Sequence, residues 1–351
     1  MFAEPLSTAP EDTGPGDDSG PGGPTLADVA ALAGLSTATA SRVLNDSARV
    51  SDRARGLVED AMTQLGYVRR RARYAPHPRG QAVAAVVTER SARFFSDPFF
   101  SRLLRGATRT LAEAGIQLIS LSVHGQSEYA AASRYLRSGG VQGILLISAH
   151  SRDPLLLQLQ AAAIPTVVSG RPLNPSTACY VDADNTGGAR TAVSHLVRGG
   201  RRRVATIAGS RDMTSGIDRL AGYHEVIAED GLAALVGYGD FTQASGEHAM
   251  TRLLERHPDL DAVFAASDLM AAGALRALRR AGRRVPEDVA VVGFDDNPIA
   301  QHTFPQLTTI RQQVEEQGEA MARRVLTLMA GGTVAQEESA LPTWLVRRMS
   351  A

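Results

Sequence analysis

The stretch from Thr25 to Asn45, TLADVAALAGLSTATASRVLN, constrains the fold most, because two short helical patterns meet there at a glycine-containing turn. Leu26, Val29, Ala30 and Ala33 recur at the spacing of one helix face, Thr25 is a good N-cap, and Asp28 three residues on completes a capping box. Gly34 ends the first helix. Ser36 caps a second, Thr37 to Asn45, whose buried stripe is Ala40, Val43 and Leu44. The opposite face carries Thr37, Ala38, Ser41 and Arg42. Methyl groups and an arginine on such a face suit a DNA major groove, where methyls meet thymine and arginine pairs with guanine. The spacing alone also fits a plain structural helix pair. A third amphipathic stretch with Leu57, Val58, Ala61, Met62 and Leu65 follows Arg49, Arg53 and Arg55. The pattern is then a three-helix domain whose arginines remain for phosphates.

Formal net charge is zero, with 37 basic and 37 acidic residues, but the charge is unevenly spread. Residues 1–23 hold five acids and no base, whereas residues 24–79 hold nine arginines against five acids. The basic part is the part with the helix-turn-helix pattern. Residues 1–23, rich in Gly, Pro and Asp without apolar periodicity, read as a disordered acidic extension. A length of 351 residues with 44% hydrophobic content leaves room for two or three domains and a sizeable core. The single cysteine, Cys179, excludes an internal disulfide framework. No apolar run approaches transmembrane length and no signal-peptide pattern opens the chain, so a cytoplasmic protein with no membrane partner is expected.

Four elements follow one another in order: Asp28-Val29-Ala30, Ala33-Gly34-Leu35-Ser36, Thr39-Ala40-Ser41-Arg42-Val43-Leu44-Asn45, and Val50-Ser51 through Arg55. They resemble the headpiece of the LacI/GalR family of bacterial transcriptional regulators. The resemblance implies a homodimer that sets two headpieces on a palindromic operator in double-stranded DNA. It implies base contacts from Thr37, Ala38 and Arg42, and phosphate contact or positioning from Ser36, Thr39, Ser41, Asn45, Ser51 and Arg55. Thr25, Arg49, Arg69, Arg70 and Arg71 complete the expected DNA-binding set. One departure concerns the family's hinge segment, Y-x-P-N-x-x-A-R-x-L, whose leucine wedges into the minor groove. Here residues 67–76 read YVRRRARYAP, which puts Pro76 at the leucine position. Either the hinge helix is shorter or shifted, or the linker contacts DNA mainly through its arginines.

Beyond Gln81 short apolar runs alternate with longer helical ones. Residues 83–87, 117–121, 143–147, 165–168, 204–208, 262–265 and 289–294 read as buried parallel strands, and the intervening helices complete βαβ units. The expected fold is a small all-α helix-turn-helix headpiece followed by an α/β effector region. That region comprises two doubly wound parallel-sheet subdomains with a ligand cleft between them. The boundaries read as an extension at 1–23, a headpiece at 24–68, an Arg/Pro-rich hinge linker at 69–80, an effector and dimerisation domain at 81–340, and a C-terminal tail at 341–351.

The second region resembles the periplasmic-binding-protein-like effector domain of the same family. The resemblance implies ligand contacts from Asp97, Phe99 and Phe100 in DPFF, Arg171 closing the fourth strand, Arg219 in DRLAGY, Asp295 in GFDD, and Gln312 in a crossover segment. Ser267 joins them, standing where the family commonly has asparagine. A carbohydrate effector is implied ahead of nucleosides or purines. Each residue has a plainer reading, since arginine and aspartate at strand ends pair with one another and phenylalanines pack into cores.

No G-x-G-x-x-G follows the first strand, and there is no Walker loop, G-x-S-x-G elbow, metal-spaced histidine pair or Cys/His nucleophile arrangement. No catalytic residue, metal or cofactor is therefore expected. No leucine heptad follows Trp344, which favours a dimer over the tetramers some relatives form. The expected function is repression of transcription under the control of a small-molecule effector. The alternative is a sugar-binding or sugar-modifying α/β protein with a vestigial headpiece.

Overall fold

The computed structural model describes residues 24–44, 50–65, 67, 82–148, 150, 155–173, 178–334 and 340–351. The chain divides into two compact units, Met1–Pro78 and Arg79–Ala351.

In the first unit the Thr25 hydroxyl accepts from the Asp28 backbone N–H, and the Asp28 carboxylate accepts from that of Thr25 at 2.7 Å. This capping box starts α1 (Leu26–Leu32). Gly34, at φ 65°, turns the chain so that the Leu35 N–H returns to the Ala30 carbonyl at 3.0 Å. The Ser36 hydroxyl accepts from the Thr39 N–H at the start of α2 (Thr37–Leu44), and that of Ser51 accepts from Ala54 at the start of α3 (Asp52–Leu65). Val29, Ala30, Ala33, Ala40, Val43, Val58 and Ala61 form the core. Asn45, Arg49, Arg69, Arg70 and Arg71, the extension at 1–23 and the hinge with Pro76 lie outside the described residues.

The second unit has two lobes, each built on a six-stranded sheet. The first contains β1 (Ala82–Val87), α4 (Ser91–Ser96), α5 (Pro98–Glu113), β2 (Gln117–Ser122), α6 (Gln126–Arg137), β3 (Gly143–Ile147), α7 (Leu155–Ala161), β4 (Thr166–Ser169) and β5 (Cys179–Ala183). The second contains α8 (Asn185–Arg198), β6 (Val204–Ala208), α9 (Thr214–Glu229), β7 (Leu235–Tyr238), α10 (Gln243–Arg256) and β8 (Ala262–Ala265). It continues through α11 (Asp268–Arg280), β9 (Ala290–Asp295), α12 (Ile299–His302) and β10 (Thr308–Gln312). The chain then returns to the first lobe for α13 (Val314–Met329) and β11 (Ala340–Leu341), and ends in the second with β12 (Thr343–Val346). The strand orders are β11-β5-β4-β3-β1-β2 and β12-β10-β9-β8-β6-β7.

Strand β1, AVAAVV, shows why the sheets lie inside. Val83, Ala85 and Val87 join one core cluster while Ala82, Ala84 and Val86 join another on the opposite face. Helices α5 and α13 meet so closely that a Cβ at Gly318 would fall 2.0 Å from the Leu103 carbonyl oxygen. Glycine there is what lets α13 close the first lobe.

Between the lobes the chain crosses three times, at Asp184, Gln313 and Pro342. The crossings are tied to one another: the Asp184 N–H donates to the Leu341 carbonyl at 2.8 Å, the Thr343 hydroxyl to the Asp184 carbonyl at 3.3 Å, and the Gln313 amide to the Pro342 carbonyl at 3.5 Å. Strands β5, β7, β10, β11 and β12 were not apparent as apolar runs. Sequences such as CYVDA and TTIRQ interleave polar residues that serve the cleft. Residues 341–351, read from sequence as a tail, instead supply β12, which pairs antiparallel with β10 and makes the second sheet mixed. Ser350 is fully buried there, its hydroxyl donating to the Val291 carbonyl at 2.6 Å.

Candidate functional site

On the first unit, Ser36, Thr37, Ala38 and Arg42 are exposed and Thr39 and Ser41 half-buried. Ala38 and Arg42 stand one turn apart on α2, as do Thr37 and Ser41, so two adjacent rows form one outward face. Several hydroxyls from the sequence-based set are engaged within the unit. Ser36 and Thr39 bond to each other at 2.8 Å, Ser51 caps α3, and Thr25 donates to Asp28 at 2.7 Å. The backbone and side-chain hydrogen bonds from Thr25 hold the Asp28 carboxyl below the usual range. Arg55 is half-buried on α3.

In the second unit, side chains from both lobes converge on a cavity beside the crossovers. Its floor begins at the end of β9, where Asp295 and Asp296 adopt φ 113° and 46°. Two successive non-glycine residues in this region are strained, and such strain collects at binding sites. The Asp295 carboxylate accepts from Arg219 at 3.2 Å and from the Gln312 amide at 2.5 Å. Arg219, on α9 with its side chain 5% exposed, also donates to Asn185 at 2.8 Å and to the Ala266 carbonyl at 2.6 Å. Its guanidinium lies 3.7 Å from the centroid of Phe294. Asn185 passes the network to Asp182 at 2.8 Å, and Gln317 joins Gln312 at 2.9 Å. One hydrogen-bonded chain thus runs from β5 through both lobes to α13.

The electrostatics are those of buried acids around two arginines, Arg219 and Arg93. Burial pushes the Asp295 carboxyl up to about 6 against the pull of Arg219, and raises those of Asp97 and Asp182. Behind the floor, burial and the charge of Asp295 hold Asp268 well above its ordinary value; it accepts from Thr309 at 2.5 Å and from the Asn297 N–H at 2.7 Å. Burial lowers the Arg219 guanidinium. Such a site offers fixed acceptors and donors with little net charge, which suits a neutral polyhydroxylated ligand.

Asp97, Phe99, Arg219, Ser267, Asp295 and Gln312 all line this cavity. Asp97 also caps α5, accepting from Phe99 at 3.0 Å, and Ser267 caps α11, accepting from Met270 at 3.3 Å. Two sequence-based expectations are corrected. Phe100 is 1% exposed within the core of the first lobe, its ring meeting that of Phe99 edge-on at 5.5 Å, and of the two only Phe99 reaches the cavity. The Arg171 guanidinium lies outside the cavity on the rim, pairing with Asp218 of α9 at 2.8 Å; only its backbone N–H reaches inward, to Asp182 at 2.9 Å. Arg93, Asp182, Asn185, Phe241 and Gln317 line the cavity and were missed. The DADN run after Val181 was the available signal for Asp182 and Asn185. Arg93, on the short helix α4, and Phe241, in the turn before α10, have no comparable one.

Among the described residues no group of three His, Cys, Asp or Glu could hold a metal ion, and no helix is long and apolar enough to cross a membrane.

Comparison with known proteins matches residues 25–70 to bacterial regulatory proteins of the lacI family and residues 193–351 to a periplasmic binding protein-like domain. The chain is 45% identical over 333 residues to the HTH-type transcriptional regulator CelR of Thermobifida fusca, spanning 93% of this chain and 98% of the relative. A solved transcriptional regulator CelR–cellobiose complex resembles it with a TM-score of 0.75 at 44% identity, covering 93% of this chain and 100% of that one. The lac repressor dimer bound to operator and the anti-inducer ONPF resembles it with a TM-score of 0.69 at 28% identity, covering 94% and 99%.

Proposed function

The chain belongs to the lacI family of bacterial regulatory proteins, DNA-binding transcriptional regulators with an effector domain, and we propose that a neutral glucose disaccharide such as cellobiose controls its grip on operator DNA. The observation that carries the effector reading is the buried Arg219–Asp295 pair, held from four sides by Asn185, Ala266, Gln312 and Phe294. A preorganised donor and acceptor of this kind bonds sugar hydroxyls without rearrangement. Asp97, Asp182 and Asp295 outnumber Arg93 and Arg219 in the lining, which disfavours sugar phosphates and nucleotides. The relative of known structure was solved with cellobiose, consistent with this chemistry.

In this reading the protein is a cytoplasmic homodimeric repressor. Residues 24–68 read DNA, 69–80 form the linker, and the domain from 81 onward binds the effector and dimerises. Thr37, Ala38 and Arg42 read base edges. Ser36, Thr39, Ser41, Asn45, Arg49, Ser51, Arg55 and Arg69 to Arg71 position the headpiece on phosphates, with Thr25 organising its first helix. Asp97, Phe99, Arg219, Ser267, Asp295 and Gln312 hold the sugar together with Asp182, Asn185 and Gln317. In this reading the sugar is bound without turnover.

Selection from random duplex DNA by the full chain supplies a palindromic probe, and cellobiose is then titrated into the labelled complex. Release by cellobiose, but not by glucose 6-phosphate, is the expected result. Unchanged DNA affinity at saturating cellobiose overturns the reading. By linkage, DNA must change cellobiose affinity by the same factor.

A further inference from the structure

Arg93, on α4, stands between two compartments. It lines the inner cavity, of about 70 Å³, and also an outer groove of about 1180 Å³ at the cleft mouth. The groove lies beyond the carboxyl ends of β1, β2, β3, β6 and β7, with Glu89, Tyr129 and His150 on the first lobe and Ser210, Asp212 and Thr242 on the second.

Arg93 is fixed from both lobes. It pairs with Glu89, reaches the Met213 sulfur at 4.0 Å, and holds its guanidinium 5.1 Å from the centroid of Phe241 and 5.8 Å from that of Phe100. Yet its Nε–H is buried and has no acceptor among the described residues. Buried donors are rarely left unpaired, and this one belongs to a residue that lines both compartments.

The groove itself balances charge: Glu89, Asp212 and Asp240 face Arg90, Arg93 and His150. His150 bonds to Asp212 at 2.9 Å and lies 3.4 Å from Glu89; the hydrogen bond with Glu89 is the main reason its imidazole is pushed up to about 8. Tyr129 adds a half-buried ring, the kind of amphipathic surface on which a pyranose packs. Hydroxyls, paired charges and one aromatic face select a neutral polyhydroxylated chain rather than an ion or an apolar molecule.

We propose that Arg93 is a specificity residue at the junction of two sugar compartments, its Nε–H donating to an oxygen of the ligand, and that the outer groove holds further glycosyl units of a neutral oligosaccharide. The cleft then accepts saccharides longer than the disaccharide and binds them more tightly. This rests on the cleft being the site of a neutral glucose saccharide.

Titration calorimetry on the full chain with glucose, cellobiose, cellotriose and cellotetraose tests it. Cellotriose is expected to bind about tenfold more tightly than cellobiose. That ratio should collapse in Tyr129→Ala, which removes the ring in the groove. It should also collapse in Arg93→Lys, which keeps a cation for Glu89 but removes the Nε–H. Unchanged operator binding by each variant without sugar establishes that it is folded. If cellobiose binds but cellotriose binds no better, or the ratio survives both substitutions, the outer site is refuted while the cleft reading stands. If no saccharide binds at all, the cleft reading falls and this inference with it.

Discussion

Two arginines define the contrast between the units. Arg42 of the headpiece is exposed on a helix of eight residues, and every other residue proposed to work with it lies within a short stretch of chain. Arg219 of the effector unit is buried, and its partners Asn185, Ala266 and Asp295 are separated from it by 34, 47 and 76 residues. The first is a chemical group presented on a small scaffold. The second is part of the scaffold as well as of the site, so altering it disturbs folding and binding together.

Arg219→Ala should give the largest effect. It leaves Asp295 buried without its cation, which costs about 3–5 kcal/mol in a urea unfolding curve and removes the cellobiose response. Arg219→Lys should recover little, because a point charge cannot bond Asn185, Ala266 and Asp295 at once. If Arg219→Ala unfolds like the parent chain, the contrast is wrong.

Arg42→Ala should leave the unfolding midpoint unchanged and lose about 1–3 kcal/mol of operator binding, with a reduced ratio of operator to random-sequence affinity. An unchanged ratio removes Arg42 from base reading. Arg55→Ala sharpens the same point: it should weaken binding to all sequences alike and lower the slope of log affinity against log salt by about one.

The rim pair lies between these extremes. Arg171 is 46% exposed on its side chain and Asp218 20%. Such a pair contributes about 0–1 kcal/mol, so Arg171→Ala should scarcely move the midpoint but should weaken sugar binding by removing a contact between the lobes that favours the closed cleft. A double-mutant cycle with Asp218→Ala measures the coupling directly.

The last effect is one of pH. Because His150 is raised above its ordinary 6.5 to about 8 in the folded state, its contribution is fully present below pH 6.5 and is lost as pH rises through 8. Its neighbours Glu89 and Asp212 are the acids that hold the proton. The unfolding midpoint followed from pH 6 to 9 should fall more in the parent chain than in His150→Gln.

The same contrast explains what could be read in advance. The headpiece was legible because its caps, turn and reading face are all local: Thr25, Gly34 and Ser36 each act within a few residues. The strands of the effector unit were legible where both faces are apolar, as in β1 and β3. Strands β5 and β10 were not, because Asp182 and Gln312 give up apolar character to serve the cleft. Phe99 and Phe100 are neighbours of identical type that share one core, and only the rotation of α5 against the lobe lets Phe99 reach the cavity as well. Arg171 was placed at the correct strand end, but a strand end does not fix which way a long side chain turns. Arg93 belonged to no pattern, since its role depends on Phe241 and Met213, brought to it from the other lobe.

The three tied crossovers have a kinetic consequence. In any rotation of one lobe against the other about them, a group moves in proportion to its distance from the axis. Asn185 and Gln312 are each one residue from a crossing and bond Asp182 and Gln317 of the first lobe across it, so those pairs scarcely separate, whereas His150 and Asp212 at the rim of the outer groove part first. A ligand therefore meets a nearly complete set of partners at the pivot while the mouth is still open, and the rim contacts form only afterwards. Substitutions at the pivot should slow capture of the sugar, and those at the rim should instead shorten its residence time.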